Sequence, residues 1–216
     1  MAFKASLFGA LMATGLFAGG AQATTFLTGT FEVAVANYDA GGDRGKAFAS
    51  AANLAQNFDE FFTYTGALDF NVGSGSSATT TIADFLNSGS GTFSGLSAPL
   101  GAAILSTPTW RNTTVFGFRA FDLGGFVGNI RHDDGVRFFD NGVRELNAPA
   151  PTTAINSAFD FSGGTFQLLY AAANGNPSIL EVTGTPAPIP LPAALPLLLA
   201  GLGGLGLMRR RKNKPA

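Results

Sequence analysis

Short apolar stretches that alternate with polar residues, each closed by glycine, asparagine or aspartate, set the tightest limit on what this chain can fold into. Phe31-Glu32-Val33-Ala34-Val35 alternates, and so, in part, does Val115-Phe116-Gly117-Phe118-Arg119-Ala120-Phe121. Val136–Phe139 and Thr165–Tyr170 read the same way. A strand sends successive side chains to opposite faces, so a run of period two builds one face for a core and one for water. Asp140-Asn141-Gly142 is a hairpin signal, because Asn-Gly tolerates the positive φ of a tight turn. Asn174-Gly175-Asn176-Pro177 marks another turn, with Ile179–Val182 as the returning strand. The pattern predicts a mainly β, antiparallel domain.

One segment has a different period. Phe48, Ala52, Ala55, Phe58 and Phe62 recur at helical spacing, which predicts one short helix near 45–60. Ala83–Leu86 reads as a helical turn and 73–81 as a loop. No repeat of regular period is present.

Both ends read as addresses. Residues 1–23 carry one positive charge at Lys4, an apolar run from Ala5 to Ala18, and the small-residue ending Ala21-Gln22-Ala23. That is the layout of a secretory signal peptide, with cleavage expected after Ala23 and a signal helix lost from the mature chain. The exported domain is then expected over 24–185. At the other end, a proline-rich stretch over 186–193 leads into an apolar segment, 194–208, and a basic tail, 209–216, with Arg209, Arg210, Arg211 and Lys212 at its start. With Leu191 and Pro192 included, the apolar run is near the lower limit of about 17–20 residues for spanning a bilayer. The basic cluster would stay on the cytoplasmic side. Ile189-Pro190-Leu191-Pro192-Ala193, the apolar helix and the terminal arginines together resemble the VPLPA-CTERM sorting signal, a relative of PEP-CTERM, with Ile189 in place of valine. The resemblance covers about the last thirty residues. It implies an exosortase- or archaeosortase-like membrane protease as partner. It also implies a transient transmembrane anchor, and transfer from the inner membrane to the cell surface or extracellular matrix.

The near-neutral net charge of −1 conceals an asymmetry. Lys4 and the C-terminal cluster hold six of the thirteen basic residues, whereas all fourteen acidic residues lie between Glu32 and Glu181. The part between the two ends therefore has seven basic and fourteen acidic side chains, a formal charge of −7. Such a surface disfavours nucleic acid, whose affinity rests on cations that neutralise phosphates. It is compatible with divalent cations. The chain has no cysteine, which excludes disulfides and thiol chemistry.

Within Ile130–Gly142 stand the single histidine, His132, and the adjacent carboxylates Asp133 and Asp134. The run Gly125, Phe126, Gly128, Asp133, Asp134, Gly135, Val136, Phe138 and Gly142 resembles, in residue type and order, the G-x-Y-x-F-x-x-x-x-D-D-G-x-x-L-x-x-x-G pattern of protective-antigen-type (PA-fourteen) domains. Phe126 departs from that pattern's tyrosine. The resemblance spans about 110–183, and 24–109 shows no match to it. It implies an antiparallel, lectin-like β-sandwich. In the lectin branch of that family, two adjacent aspartates joined by a cis peptide bind Ca²⁺, and the ion binds sugar hydroxyls. Carried over by position, Asp133 and Asp134 would be metal ligands, and a later loop would supply Asn174 or Asn176. Ca²⁺ as cofactor and extracellular polysaccharide as ligand follow from that resemblance. The residues read by themselves leave an alternative open: Asp-Asp-Gly is also a good turn, with aspartates bonding backbone N–H groups and glycine taking positive φ.

Catalysis finds little support. A glycosidase needs two carboxyls about 5–10 Å apart, and adjacent aspartates are poorly placed for that. With one histidine and no cysteine, histidine-based triads and zinc sites are nearly excluded. No H-E-x-x-H, G-x-S-x-G or P-loop pattern is present. No catalytic residue is assigned, and the chain reads as a non-enzyme: a binding module or a ligand-free structural protein of the matrix, with a small secreted hydrolase ranked below both. His132 reads as an exposed or edge residue. Phe58, Phe61, Phe62, Phe70 and Trp110 read as core packing, and Arg111, Arg119, Arg131, Arg137 and Arg144 as the solvated side of strands.

Overall fold

The computed structural model describes residues 23–73 and 79–187. Most of the signal segment, the sorting motif Ile189–Ala193, the anchor segment 194–208, the basic tail and most of the loop 73–81 lie outside the described residues. Among the described residues, no helix is long and apolar enough to cross a membrane.

Among the described residues, twelve antiparallel strands form two sheets. In chain order they are β1 (Thr25–Phe26), β2 (Thr28–Asp39), β3 (Glu60–Ala67), β4 (Asp69–Val72), β5 (Thr92–Ser94), β6 (Asn112–Leu123), β7 (Phe126–Asp133), β8 (Gly135–Asp140), β9 (Val143–Ala148), β10 (Ile155–Phe161), β11 (Gly164–Ala172) and β12 (Ser178–Pro186). The larger sheet runs β5-β3-β2-β6-β11-β8-β9, and the smaller runs β1-β12-β7-β10 with β4 also on β12. Residues 24–109, which carry no family pattern, supply five of these strands, two of them central to the larger sheet's pairing.

The period-two pattern does what alternation predicts. Phe31, Val33 and Val35 of β2 are fully buried, as are Phe116 and Phe118 of β6, Phe138 of β8, and Phe166, Leu168 and Tyr170 of β11. They meet Ile130, Phe161, Leu180 and Val182 of the smaller sheet. The rings pack tilted, edge-on or offset, as in Phe85 over Tyr170 at 5.5 Å and Phe138 against Phe159 at 5.1 Å. β6 alternates only in part because its outer face is covered too. Leu54 packs there against a second small cluster of Ala49, Val115, Leu169 and Ala171.

The helix expected near 45–60 is two shorter pieces. A 3-10 turn over Arg44–Ala47 is capped by Asp43, and a helix, α1 (Ala51–Gln56), is capped by Ser50. Each cap satisfies an N-terminal N–H and fixes a start that the apolar spacing did not show. Phe58 and Phe61 are exposed, not core; their rings lean on each other at 4.6 Å. Phe62 and Phe70 are core as expected. The turn at Ala83–Leu86 is a helix, α2 (Ile82–Asn87), held by a capping box between Thr81 and Asp84. The Asp140–Val143 connection is the hairpin expected, with Asn141 at φ 49° and Gly142 at φ 83°. Asn174–Pro177 is not a hairpin. β11 lies in the larger sheet and β12 in the smaller, so the chain crosses between layers there.

Candidate functional site

The Asp133-Asp134 step is another such crossing. Asp133 ends β7 in the smaller sheet and Gly135 begins β8 in the larger. The pair is therefore not a hairpin turn, and the turn-only reading is replaced by a bridge between layers. The peptide bond between the two aspartates is cis, as is Asn176–Pro177.

The backbone of the pair is held from beneath by two buried rings. The Tyr170 hydroxyl donates to the Asp133 carbonyl. His132 Nδ1 donates to the Asp134 carbonyl, which leaves Nε2 to accept from Ser157 Oγ at 2.9 Å. His132 is fully buried, and burial lowers its pKa, so the ring is neutral. This corrects its assignment as an exposed residue. The sequence held a signal that could have shown it: His132 has the same parity as Phe126 and Ile130, both of which point into the sandwich.

The carboxylates are nearly as enclosed. Asp133 is 7% exposed and Asp134 1%. Asp134 Oδ2 accepts from the Ala173 N–H at 2.7 Å and Oδ1 from the Thr152 N–H at 3.3 Å. Burial pushes the Asp133 carboxyl up to about 6 and the Asp134 carboxyl up to about 7. Asp133 raises its neighbour further by repulsion. Neither carboxylate forms an ion pair among the described residues; Arg131, the nearby cation, is committed to Glu181 at 2.9 Å. Arg131 still favours the charged form of Asp133, but two buried acids without an ion pair are costly.

Asp134 opens on a cavity of about 390 Å³, lined also by Arg44, Trp110, Pro151, Thr152, Thr153 and Asn174. Asn174 is brought to Asp134, and its Oδ1 accepts from the Thr109 N–H at 3.0 Å. Asn176 does not line the cavity, and its amide donates to Thr80 Oγ1 at 2.9 Å. Trp110 is a cavity wall, not simple core packing. It sits at φ 54° after Thr109 at φ 62°, left-handed geometry that a bulky side chain rarely adopts. Its indole N–H is buried with no acceptor among the described residues.

Among the described residues, no three His, Cys, Asp or Glu side chains converge. A cation here would be held by two carboxylates, with amide oxygen, carbonyls and water completing the shell. That all-oxygen set suits Ca²⁺ and not zinc.

No family model matches the sequence, and no curated protein matches it. The structure does have counterparts. The PA14 sugar-binding domain from an RTX adhesin superposes with a TM-score of 0.50 at 18% identity, over 73% of this chain and 89% of that one. The fold is a PA14-type β-sandwich. The PA14 domain of the antifreeze protein MpAFP gives a TM-score of 0.47 at 14% identity, over 76% of this chain and 88% of that one. The PA14-type likeness covers more of the chain than the sequence pattern over 110–183 implied. It extends the assignment to strands that carry no motif.

Proposed function

We propose that this is an exported, non-enzymatic binding module in which Asp133 and Asp134 hold Ca²⁺ and the loaded site binds extracellular glycan. The observation that carries the reading is the buried carboxylate pair, neither member in an ion pair, with Asp134 facing an open cavity. Bound there, Ca²⁺ would supply positive charge to the pair and open coordination positions to sugar hydroxyls. Asn174 is placed to contribute an amide oxygen. His132 and Tyr170 fix the peptide that carries both acids. The adhesin domain with the same fold is described as sugar-binding, which agrees with the reading. We further propose that residues 1–23 export the chain and that 186–216 anchor and sort it through an exosortase-like protease.

Calorimetry of the full chain in detergent with Ca²⁺ is the test, with Asp133→Asn and Asp134→Asn as controls. The parent should bind and both variants should lose binding. Absence of Ca²⁺ heat in the parent would overturn the metal reading. A second reading has one observation in its favour: both Asp134 oxygens already accept backbone N–H groups. In that case the pair braces the crossing as a purely structural element of a matrix protein, and the same titration would show no heat.

A further inference from the structure

Arg44 is a cation with no ion-pair partner among the described residues, and it stands at the proposed site. It lines the cavity shared with Asp134, Trp110 and Asn174. It also lines an adjoining cavity of about 360 Å³ that runs past Asn147, Pro151 and Ile155. Both volumes lie near the lower end of the range of about 300–1,000 Å³ for ligand pockets. Among the described residues, no acid forms an ion pair with it. Asp43, its chain neighbour, accepts from the Gly45 N–H, and Asp39 accepts from the Gly41 N–H. Arg44 itself donates only from Nη2, to the Pro151 carbonyl at 3.2 Å, which leaves other guanidinium donors for a guest.

The formal charges then point to a class of sugar. Two ionised aspartates and one Ca²⁺ sum to zero, so Arg44 is the one charge left over in the lining of the two cavities. A neutral glycan would leave that charge unmatched, whereas a carboxylate on the sugar would balance it. A guanidinium fork fits a planar carboxylate with two parallel hydrogen bonds, a geometry that an ammonium cannot reproduce. We infer that Arg44 makes the groove beside Asp134 selective for anionic glycan, with uronic-acid sugars as the ligand class. The inference rests on the Ca²⁺-dependent glycan reading above and adds the identity of the sugar to it.

The test compares a uronate trisaccharide with its carboxyl-reduced, neutral counterpart on the full chain in detergent with Ca²⁺. The variants are Arg44→Gln and Arg44→Lys, each checked by thermal melting. The acidic trisaccharide should bind the parent about ten- to a hundredfold more tightly, the scale of a charge-assisted hydrogen bond. Arg44→Gln should erase that preference, so that the two sugars bind within about twofold of each other, and Arg44→Lys should keep only part of it. Equal binding of the two sugars by the parent, or a preference that survives Arg44→Gln, overturns the inference while the Ca²⁺ reading stands. If neither sugar binds in Ca²⁺, the glycan reading itself fails and takes the inference with it.

Discussion

Replacing Gly135 by alanine would strike the Asp134 site from behind without touching a polar group. Gly135 is buried, and an added Cβ would stand 2.0 Å from the Pro149 carbonyl oxygen and 2.6 Å from its carbon. Both atoms are backbone, so the strand end at 148–150 would have to retreat by about 1 Å or more. That carbonyl accepts the Ala49 N–H at 2.9 Å, and Ala49 is fully buried. Overpacking of this kind costs about 1–3 kcal/mol. An orphaned buried N–H costs about 1–3 kcal/mol more. Together they predict a loss of about 2–6 kcal/mol, or a fall in Tm of about 4–24 °C for a domain of this size. The moved segment also carries Pro151 and Thr152, which wall the cavity, and the Thr152 N–H on Asp134. Ca²⁺ affinity should therefore drop along with Tm. Gly142→Ala is the matched control, because a Cβ there meets nothing within 4 Å and the cost is only that of φ +83°, about 1–2 kcal/mol. Thermal melting and calorimetry of the pair decide the matter. A Gly135→Ala protein that melts with Gly142→Ala and binds Ca²⁺ like the parent would refute the reasoning.

Tyr170→Phe removes only the hydroxyl that donates to the Asp133 carbonyl, so it should cost about 1–3 kcal/mol by denaturant melting. The acid pair also sets a pH dependence. Both folded-state pKa values are raised, to about 6 and about 7, so the pair's contribution to stability is fully present below pH 4 and is lost as pH rises through 6 and 7. Ca²⁺ should cancel that loss, so the gap between Tm with Ca²⁺ and Tm with chelator should be small at pH 5 and widen by pH 8; a constant gap counts against the pair as ligands. Deletion of 189–216 should release the protein in soluble form, and retention on cells, read by fractionation, would contradict the sorting signal.

Strand content was legible because it is written locally. The parity of Phe31, Val33 and Val35, or of Phe116 and Phe118, shows which face is buried whatever those strands pair with. The Asn141-Gly142 hairpin was legible for the same reason, since two residues fix it. What local pattern could not show is which sheet receives the next strand. Gly124-Gly125, Asp133-Asp134 and Asn174–Pro177 all look like turns, yet each carries the chain from one layer to the other. The helical spacing over 45–60 misled because Ser50 and Asp43 set the starts. Moreover, Ala52, Ala55 and Phe58 of that apparent stripe face solvent.

The site was half legible for a related reason. The aspartates stood out because adjacent acids are conspicuous in a chain with few charges. Arg44 and Trp110 did not, because they lie 89 and 23 positions away from Asp133 and come to it only through folding. The crossing itself explains why the site sits where it does. At a hairpin, both carboxylates would project into water and need no ion. At a passage between two packed sheets, the peptide is pinned by Tyr170 and His132 from the core side, and the acids are sealed to 7% and 1% exposure. On the proposed reading, binding chemistry arises from the conflict between burial and charge, which a divalent cation would resolve and a lone turn would never create.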